Sequence, residues 1–281
     1  QIYTLNVIVG EVMNSNGNEV EKQYLLAEAR VHRAYMHWLL AQWYSMPYDE
    51  NLVGQELTIP IVTEANTQVM NYDRATMQEL YAWITAEMED ACPQLEKREE
   101  HRMRCYKATG YALMGKVYFS MNRYDDALRA LRVAYDLLRD DPNVYLTDHN
   151  EKQASYGYRE LTMNEMLAYM PYAYRDNEAL FCKYSNCMKE YYPAYYGAEP
   201  AEYLSPKVYA LYDEHDLRRN LIITKDASGN SLSYPTATFY TSQVNVGCKL
   251  PEVYLMLAEC EARVGSVEEA REILTELRRT R

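Results

Sequence analysis

Residues 102–139 read RMRCYKATGYALMGKVYFSMNRYDDALRALRVAYDLLR, and this stretch decides the fold. Apolar residues recur at three- and four-residue steps through 102–121 and again through 124–139, the period of a helix with one face on a core. Asn122 and Arg123 leave space for a tight connection only, so the two helices form an antiparallel hairpin. Gly115 and Ala127, twelve positions apart, put two small residues where such helices cross, and close backbone approach follows. Tyr111 and Leu131 fill the flanks. The arrangement returns in 250–281, LPEVYLMLAECEARVGSVEEAREILTELRRTR, at a fixed offset of 143 residues. Tyr111 matches Tyr254, Gly115 matches Ala258, Ala127 matches Ala270, Leu131 matches Leu274 and Ala134 matches Leu277. Gly265 supplies the second turn, and Ser266 with Glu269 has the spacing of a capping box.

A small residue facing a small residue twelve positions on is the tetratricopeptide pattern. A scaffold of tandem repeats would recur about every 34 residues, whereas here a long segment separates the two hairpins. Such an insertion belongs on one face, often the binding face. The expected architecture is therefore mostly all-α. Tetratricopeptide-like hairpins at about 102–139 and 250–281 make a scaffold, with a loop-rich insertion over 140–249 and a few short strands.

The remaining segments fit that plan. Residues 18–45 read as one helix, with Leu25, Leu26, Ala29, Tyr35, Trp38, Leu39 and Trp43 on its apolar period and Pro47 as the stop. Ile2, Leu5, Ile8, Val9 and Val12 mark a shorter helix before it. Leu57–Val62 is a short extended piece. Thr76 and Glu79 form a T-x-x-E box ahead of the stripe Leu80, Ile84, Met88 and Ala91. Within the insertion, Thr162–Met170 is a short helix and Glu178–Tyr184 a strand-like run. Ser205 caps a helix through Tyr212, and Leu221–Thr224 and Thr236–Thr241 are strands about the turn Asp226–Gly229.

Composition narrows the function classes. The 281 residues carry a formal charge of −12, with no basic run of five or more, which disfavours nucleic acid as a partner. No apolar run reaches the roughly 18 residues of a membrane span. Of the six cysteines, Cys182 and Cys187 have the spacing to pair across a turn, and Cys260 sits in a helix as a small apolar residue. No CxxC, HExxH, GxSxG, P-loop or GxGxxG is present. His32 and His37 are five apart and do not share a helical face as an i, i+4 pair would. Asp213-Glu214-His215-Asp216 has metal-ligand residue types without ligand spacing, and reads as a solvated turn. No metal or cofactor is expected.

Three segments together resemble the SusD/RagB family. Ala27-Glu28-Ala29-Arg30, with Arg33-Ala34-Tyr35 and Met46-Pro47, is similar to that family's E-A-R-x-x-R-A helix. Ala108 to Tyr124 with Ala127 is similar to its central hairpin. Pro251-Glu252-Val253-Tyr254-Leu255-Met256-Leu257-Ala258-Glu259, with Gly265, Ala270 and Leu277-Arg278-Arg279-Thr280-Arg281, resembles its E-x-Y-L-x-x-A-E…G…A…L-R-x-x-R signature. Asn6 also fits a family position. The resemblance implies a single SusD-like domain over 1–281, trimmed at both ends relative to family members. It implies a protein lipid-anchored on the outer membrane at the cell surface, the anchor lying outside this chain. Its partners would be an oligosaccharide, or a peptide in the RagB-like branch, and a SusC-like TonB-dependent transporter. It would bind its ligand without cleaving it.

The chain has 29 Tyr against three Phe and three Trp, and the densest run is 184–203. Tyr184, Tyr191, Tyr192, Tyr195, Tyr196 and Tyr203 are the candidate ligand-binding residues, interleaved with Lys189, Glu190, Pro193, Gly197 and Glu199. The run falls where glycan-binding members of the family place part of an aromatic arc. A sugar ring has a C–H face that stacks on an aromatic ring, and hydroxyls that seek a polar rim. Three rings at about 1 kcal/mol each, with a few hydrogen bonds, give millimolar to tens of micromolar affinity. The other reading is that these rings pack a loop onto the helices. Two further alternatives are a tetratricopeptide scaffold and a glycoside hydrolase, which needs two carboxylates about 5 to 9.5 Å apart.

Overall fold

The structure is a computed structural model, and it describes residues 1–69, 71–97, 104–162, 165, 169, 175–182, 184–185, 204–225, 229–237, 244–245 and 247–281. The described helices are α1 (Ile2–Glu11), α2 (Glu19–Tyr44), α3 (Met77–Ala91), α4 (Lys107–Ser120), α5 (Tyr124–Arg139), α6 (His149–Ala154), α7 (Pro206–Tyr209), α8 (Leu250–Val264) and α9 (Val267–Arg279). The strands are β1 (Ala179–Phe181), β2 (Tyr184–Ser185), β3 (Ile222–Lys225), β4 (Ser231–Ala237), β5 (Val244–Asn245) and β6 (Cys248–Lys249). Helices dominate, as the period of the sequence requires. The chain forms two compact units: Gln1–Pro142 with Glu252–Arg271, and Asn143–Pro251 with Glu272–Arg281.

In the first unit, helix ends obey local chemistry. Asn18 caps α2 by accepting from the Val20 and Glu21 N–H groups, and Glu19 and Glu21 sit on the positive end of its dipole. Thr76 and Glu79 complete the box at α3, each bonding the other's backbone N–H at 3.2 and 2.8 Å. Leu80, Ile84, Met88 and Ala91 are all buried. The extended piece before α3 runs antiparallel to the residues leading into it, with Leu57 bridged to Thr76 and the Thr58 N–H on Ala75 O.

The motif helix α2 buries charge as well as apolar surface. Glu28 accepts from Arg104 Nε at 2.7 Å and from the Cys105 N–H at 2.9 Å. This pins the chain in an extended path ahead of α4, so α4 begins at Lys107 rather than near 102. Glu87 on α3 accepts from Arg30 Nη2 at 3.0 Å and from Arg33 Nη2 at 2.7 Å. Asn6 of α1 is 3% exposed and fully used. Its amide donates to Val62 O and Glu64 O, both at 3.1 Å, and its oxygen accepts from Arg33 Nη1 at 3.2 Å. Asn6→Ala strands a buried guanidinium N–H and two carbonyls. We expect a loss of about 2 kcal/mol in urea unfolding, and a loss within error would show that the amide is dispensable.

The α4–α5 hairpin crosses at Gly115. A Cβ there would lie 2.6 Å from Leu131 Cγ and 2.8 Å from Leu131 Cδ2. The second hairpin's first helix packs on this one: Tyr135 and Tyr254 meet edge to face at 5.2 Å, and Lys116 pairs with Glu252 at 3.3 Å. Glu261 of α8 is 1% exposed and receives Arg132 Nε at 2.6 Å and Nη2 at 2.8 Å. It also takes the Ser266 N–H at 3.0 Å, the bond that a capping box would give to Glu269. Glu269 turns to Arg132 instead, and only its N–H bonds Ser266 Oγ, at 3.3 Å. Gly265 makes this possible, because a Cβ there would sit 2.1 Å from Glu261 Oε2.

In the second unit, an antiparallel ribbon closes the base of a long insertion. Ala179 pairs with Lys249 and Phe181 with Cys248. Beyond a shift, Tyr184 pairs with Asn245 and Ser185 with Val244. The expected Glu178–Tyr184 run is thus two short strands. β3 and β4 form a separate hairpin, in which β4 begins at Ser231, ahead of the expected Thr236. Of the expected helix Thr162–Met170, most residues lie outside those described.

Candidate functional site

The ribbon decides what the insertion can present. Chain leaves it after Ser185 and returns at Val244, so residues 186–243 are tied at one root. Tyr184 lies in β2, opposite Asn245. Its side chain lies outside the described residues, as do Tyr191, Tyr192, Tyr195, Tyr196 and Tyr203 entirely. Cys187, the expected partner of Cys182, lies outside them too, and Cys182 is buried.

The described part of the insertion is built from short-range caps. Ser205 Oγ accepts the Val208 N–H and starts α7, as its position predicts, but the helix ends at Tyr209 rather than at Tyr212. Asp213 accepts the His215 N–H, and Asp216 caps a 3₁₀ turn over Leu217–Leu221. The 213–216 cluster is therefore a solvated turn, with each aspartate spent on backbone. Tyr209 and Tyr212 each meet an arginine: Arg219 lies 5.0 Å from the first ring and Arg218 lies 5.7 Å from the second. This block is bonded to the earlier part of the unit through Leu161 N–H to Asn220 O at 3.0 Å. Thr224 N–H adds a bond to Glu160 at 2.7 Å.

Beside the root lies a polar hub. Glu178 accepts from the Thr147 N–H at 2.9 Å and from Arg281 Nη2 at 2.8 Å, and Arg281 Nη1 donates to Thr147 O at 3.0 Å. Lys249 pairs with Asp176 at 2.8 Å. Two carboxylates thus lie near one another, but each is committed to a cation. A glycoside hydrolase needs one held as an acid. Among the described residues, no three His, Cys, Asp or Glu side chains are grouped to hold a metal ion. No described helix is long and apolar enough to cross a membrane.

Two histidines, His37 in the core and His149 partly exposed, stay neutral at neutral pH. His37 on α2 accepts the Val62 N–H on Nε2 at 3.1 Å, so its proton is on Nδ1, donated to Arg33 O at 2.8 Å. Burial lowers its pKa. His149 on α6 bonds the Tyr169 hydroxyl at 2.6 Å. Burial, with Arg281, Lys152 and Arg218 nearby, pushes it down to about 4. In the unfolded chain an imidazole titrates near 6.5, so unfolding takes up protons between about pH 6.5 and 4. Stability contributed by keeping these rings neutral is complete above that window and falls as pH drops through it. We expect the thermal midpoint to fall between neutral pH and about pH 4.5, and His149→Gln to flatten part of the slope. A midpoint that climbs on acidification would contradict this.

Residues 1–119 match a SusD-like family model described as starch-binding, associating with the outer membrane. The fold recurs in solved structures. A SusD superfamily protein from Bacteroides vulgatus superposes with a TM-score of 0.77 at 18% identity, over 99% of this chain and 64% of its own. A SusD superfamily protein from Bacteroides thetaiotaomicron does so with 0.72 at 20%, over 100% and 64%. Surface glycan-binding protein A from Bacteroides uniformis gives 0.67 at 16%, over 99% and 64%. No curated protein sequence matches the chain. Residues 1–119 carry the match to that SusD-like family, and the fold those solved structures share runs along the whole chain. The chain spans about 64% of the length of those solved structures.

Sequence reasoning found the arginines of the motif helix but not their acid. Glu87 stands 57 residues from Arg30 and beside the apolar stripe of α3, and only that adjacency hinted at it. Glu261 was hidden in the same way, as one acid among several on α8.

Proposed function

We propose that the protein captures a glycan at the cell surface and passes it, uncleaved, to a SusC-like TonB-dependent transporter. The observation that carries this reading is the match of residues 1–119 to a starch-binding, outer-membrane-associated family. A fold shared with a surface glycan-binding protein supports it. Attachment to the outer membrane through a lipid anchor belongs to the same proposal, as does ligand contact by Tyr184, Tyr191, Tyr192, Tyr195, Tyr196 and Tyr203. Stacking on a few rings gives weak capture and fast release, which suits handover to a channel.

Calorimetric titration against glycan and peptide panels tests it. We expect binding of at least one oligosaccharide in the millimolar to tens-of-micromolar range, weakened about tenfold or more by Tyr191→Ala with Tyr192→Ala. Peptide binding without glycan binding would move the protein to the RagB-like branch. Product release from a polymer, abolished by one carboxylate substitution, would make it an enzyme.

A further inference from the structure

We propose that Asn16 is a covalent modification site. Its side chain closes on the Gly17 nitrogen, loses ammonia and leaves an aspartyl or isoaspartyl residue in the link between α1 and α2.

Three asparagines stand close together in this link, Asn14-Ser15-Asn16-Gly17-Asn18, and all three are exposed. Ring closure needs a side-chain amide carbon that can swing onto the next residue's nitrogen, and an N–H there with no other engagement. Asn14 ends the 3₁₀ turn Val12–Asn14, and the N–H that follows it, on Ser15, is held by Val12 O at 3.3 Å. Asn18 is held through its side chain, whose oxygen takes the Val20 N–H at 2.8 Å and the Glu21 N–H at 3.3 Å as the cap of α2. Asn16 has neither restraint. Among the described residues no group bonds its amide, and the Gly17 N–H makes no hydrogen bond within the chain. Both are exposed groups whose partner is solvent.

Gly17 supplies the rest. It has no Cβ to shield its nitrogen, and its φ of +154° lies in a region that glycine enters readily. A Cβ built on it would meet nothing within 4 Å, so no neighbour crowds the ring as it closes. The link is fixed on either side of this dipeptide. Lys22 Nζ holds Met13 O at 3.1 Å and Ser15 O at 3.2 Å, and the Asn18 cap holds the far side.

The chemistry needs only water. Solvent base removes the Gly17 amide proton, and the nitrogen attacks Asn16 Cγ. The new C–N bond forms, the Cγ–Nδ2 bond breaks, and ammonia departs with a proton from water. Water then opens the cyclic imide at one carbonyl or the other, giving aspartate or isoaspartate, with no change of oxidation state. Either product adds one negative charge to a chain of formal charge −12. That charge falls just ahead of α2, whose N-terminal dipole favours it, so the fold does not oppose the product. The isoaspartyl form carries the backbone through Cβ and lengthens the link by a methylene before Asn18.

The test is peptide mapping by mass spectrometry of the whole chain, incubated folded and, in parallel, unfolded in guanidinium chloride. Conversion at Asn16 should rise with pH and run nearly as fast in the folded chain as in the unfolded one. Conversion at Asn14 and at Asn18 should be slowed severalfold by folding. Enzymatic methyl transfer specific for isoaspartate should label the peptide that holds Asn16. Asn16→Gln should remove that label, and Asn14→Gln should leave it. Severalfold protection of Asn16 by folding would overturn the assignment, as would faster conversion at Asn14 or Asn18 in the folded chain. A label in this peptide that persists in Asn16→Gln would overturn it as well.

Discussion

Glu87→Ala is expected to lower the unfolding free energy by about 3 kcal/mol. Two guanidinium groups converge on this carboxylate. Arg33 is nearly buried, its side chain 6% exposed, and Arg30 is about a fifth exposed. Burial alone would push the Glu87 carboxyl up, but the hydrogen bonds from Arg30 and Arg33 outweigh it and hold the group below the usual range. Removing the carboxylate leaves Arg33 with Asn6 Oδ1 and Thr63 O, which are neutral acceptors, and no counter-charge. Arg30 retains Asp90, so its share of the loss is the smaller one. Since Glu87 titrates lower in the folded state, its contribution is present above its unfolded pKa and is lost as pH falls through the folded one. Urea unfolding of wild type, Glu87→Gln and Glu87→Ala at neutral pH measures the effect. A deficit below about 1 kcal/mol for both variants would mean that water has taken over the carboxylate's role.

Gly115→Val should cost about 3 kcal/mol, at the upper end for overpacking. Its Cβ alone would stand 2.6 Å from Leu131 Cγ, and Leu131 is fully buried, so the leucine has nowhere to swing. The helices must part, and the edge-to-face contact of Tyr135 with Tyr254 on the next helix is disturbed with them. The diagnostic is the double variant. Leu131→Ala alone opens a cavity and should cost about 2–5 kcal/mol, but combined with Gly115→Val it makes the room that valine needs. We expect the pair to be more stable than the sum of the singles by about 1–3 kcal/mol. Strict additivity in denaturant unfolding would show that Gly115 and Leu131 do not share the crossing.

The helical architecture was legible because it is written in local terms. The caps at Thr76 and Ser205, and the small residues Gly115 and Ala127, act within a turn or across one hairpin. Departures arose wherever a carboxylate outside the expected motif competed for a backbone donor. Glu28 takes the Cys105 N–H and delays α4; Glu261 takes the Ser266 N–H and leaves Glu269 free for Arg132. The candidate tyrosines were legible only as a composition, because aromatic residues read alike whether they line a surface or fill a core.

By itself, then, the sequence determined that this chain builds paired helices around small residues and closes them with its own caps, since those interactions span few residues and depend on residue type alone. Tertiary structure decided which charges meet: Glu87 with Arg30 and Arg33, Glu261 with Arg132, and Glu178 with Arg281. Ion pairs have no period, and several acids could serve each arginine equally well. Only the packing of the apolar faces, which fixes distance and exclusion of water, selects the one that does.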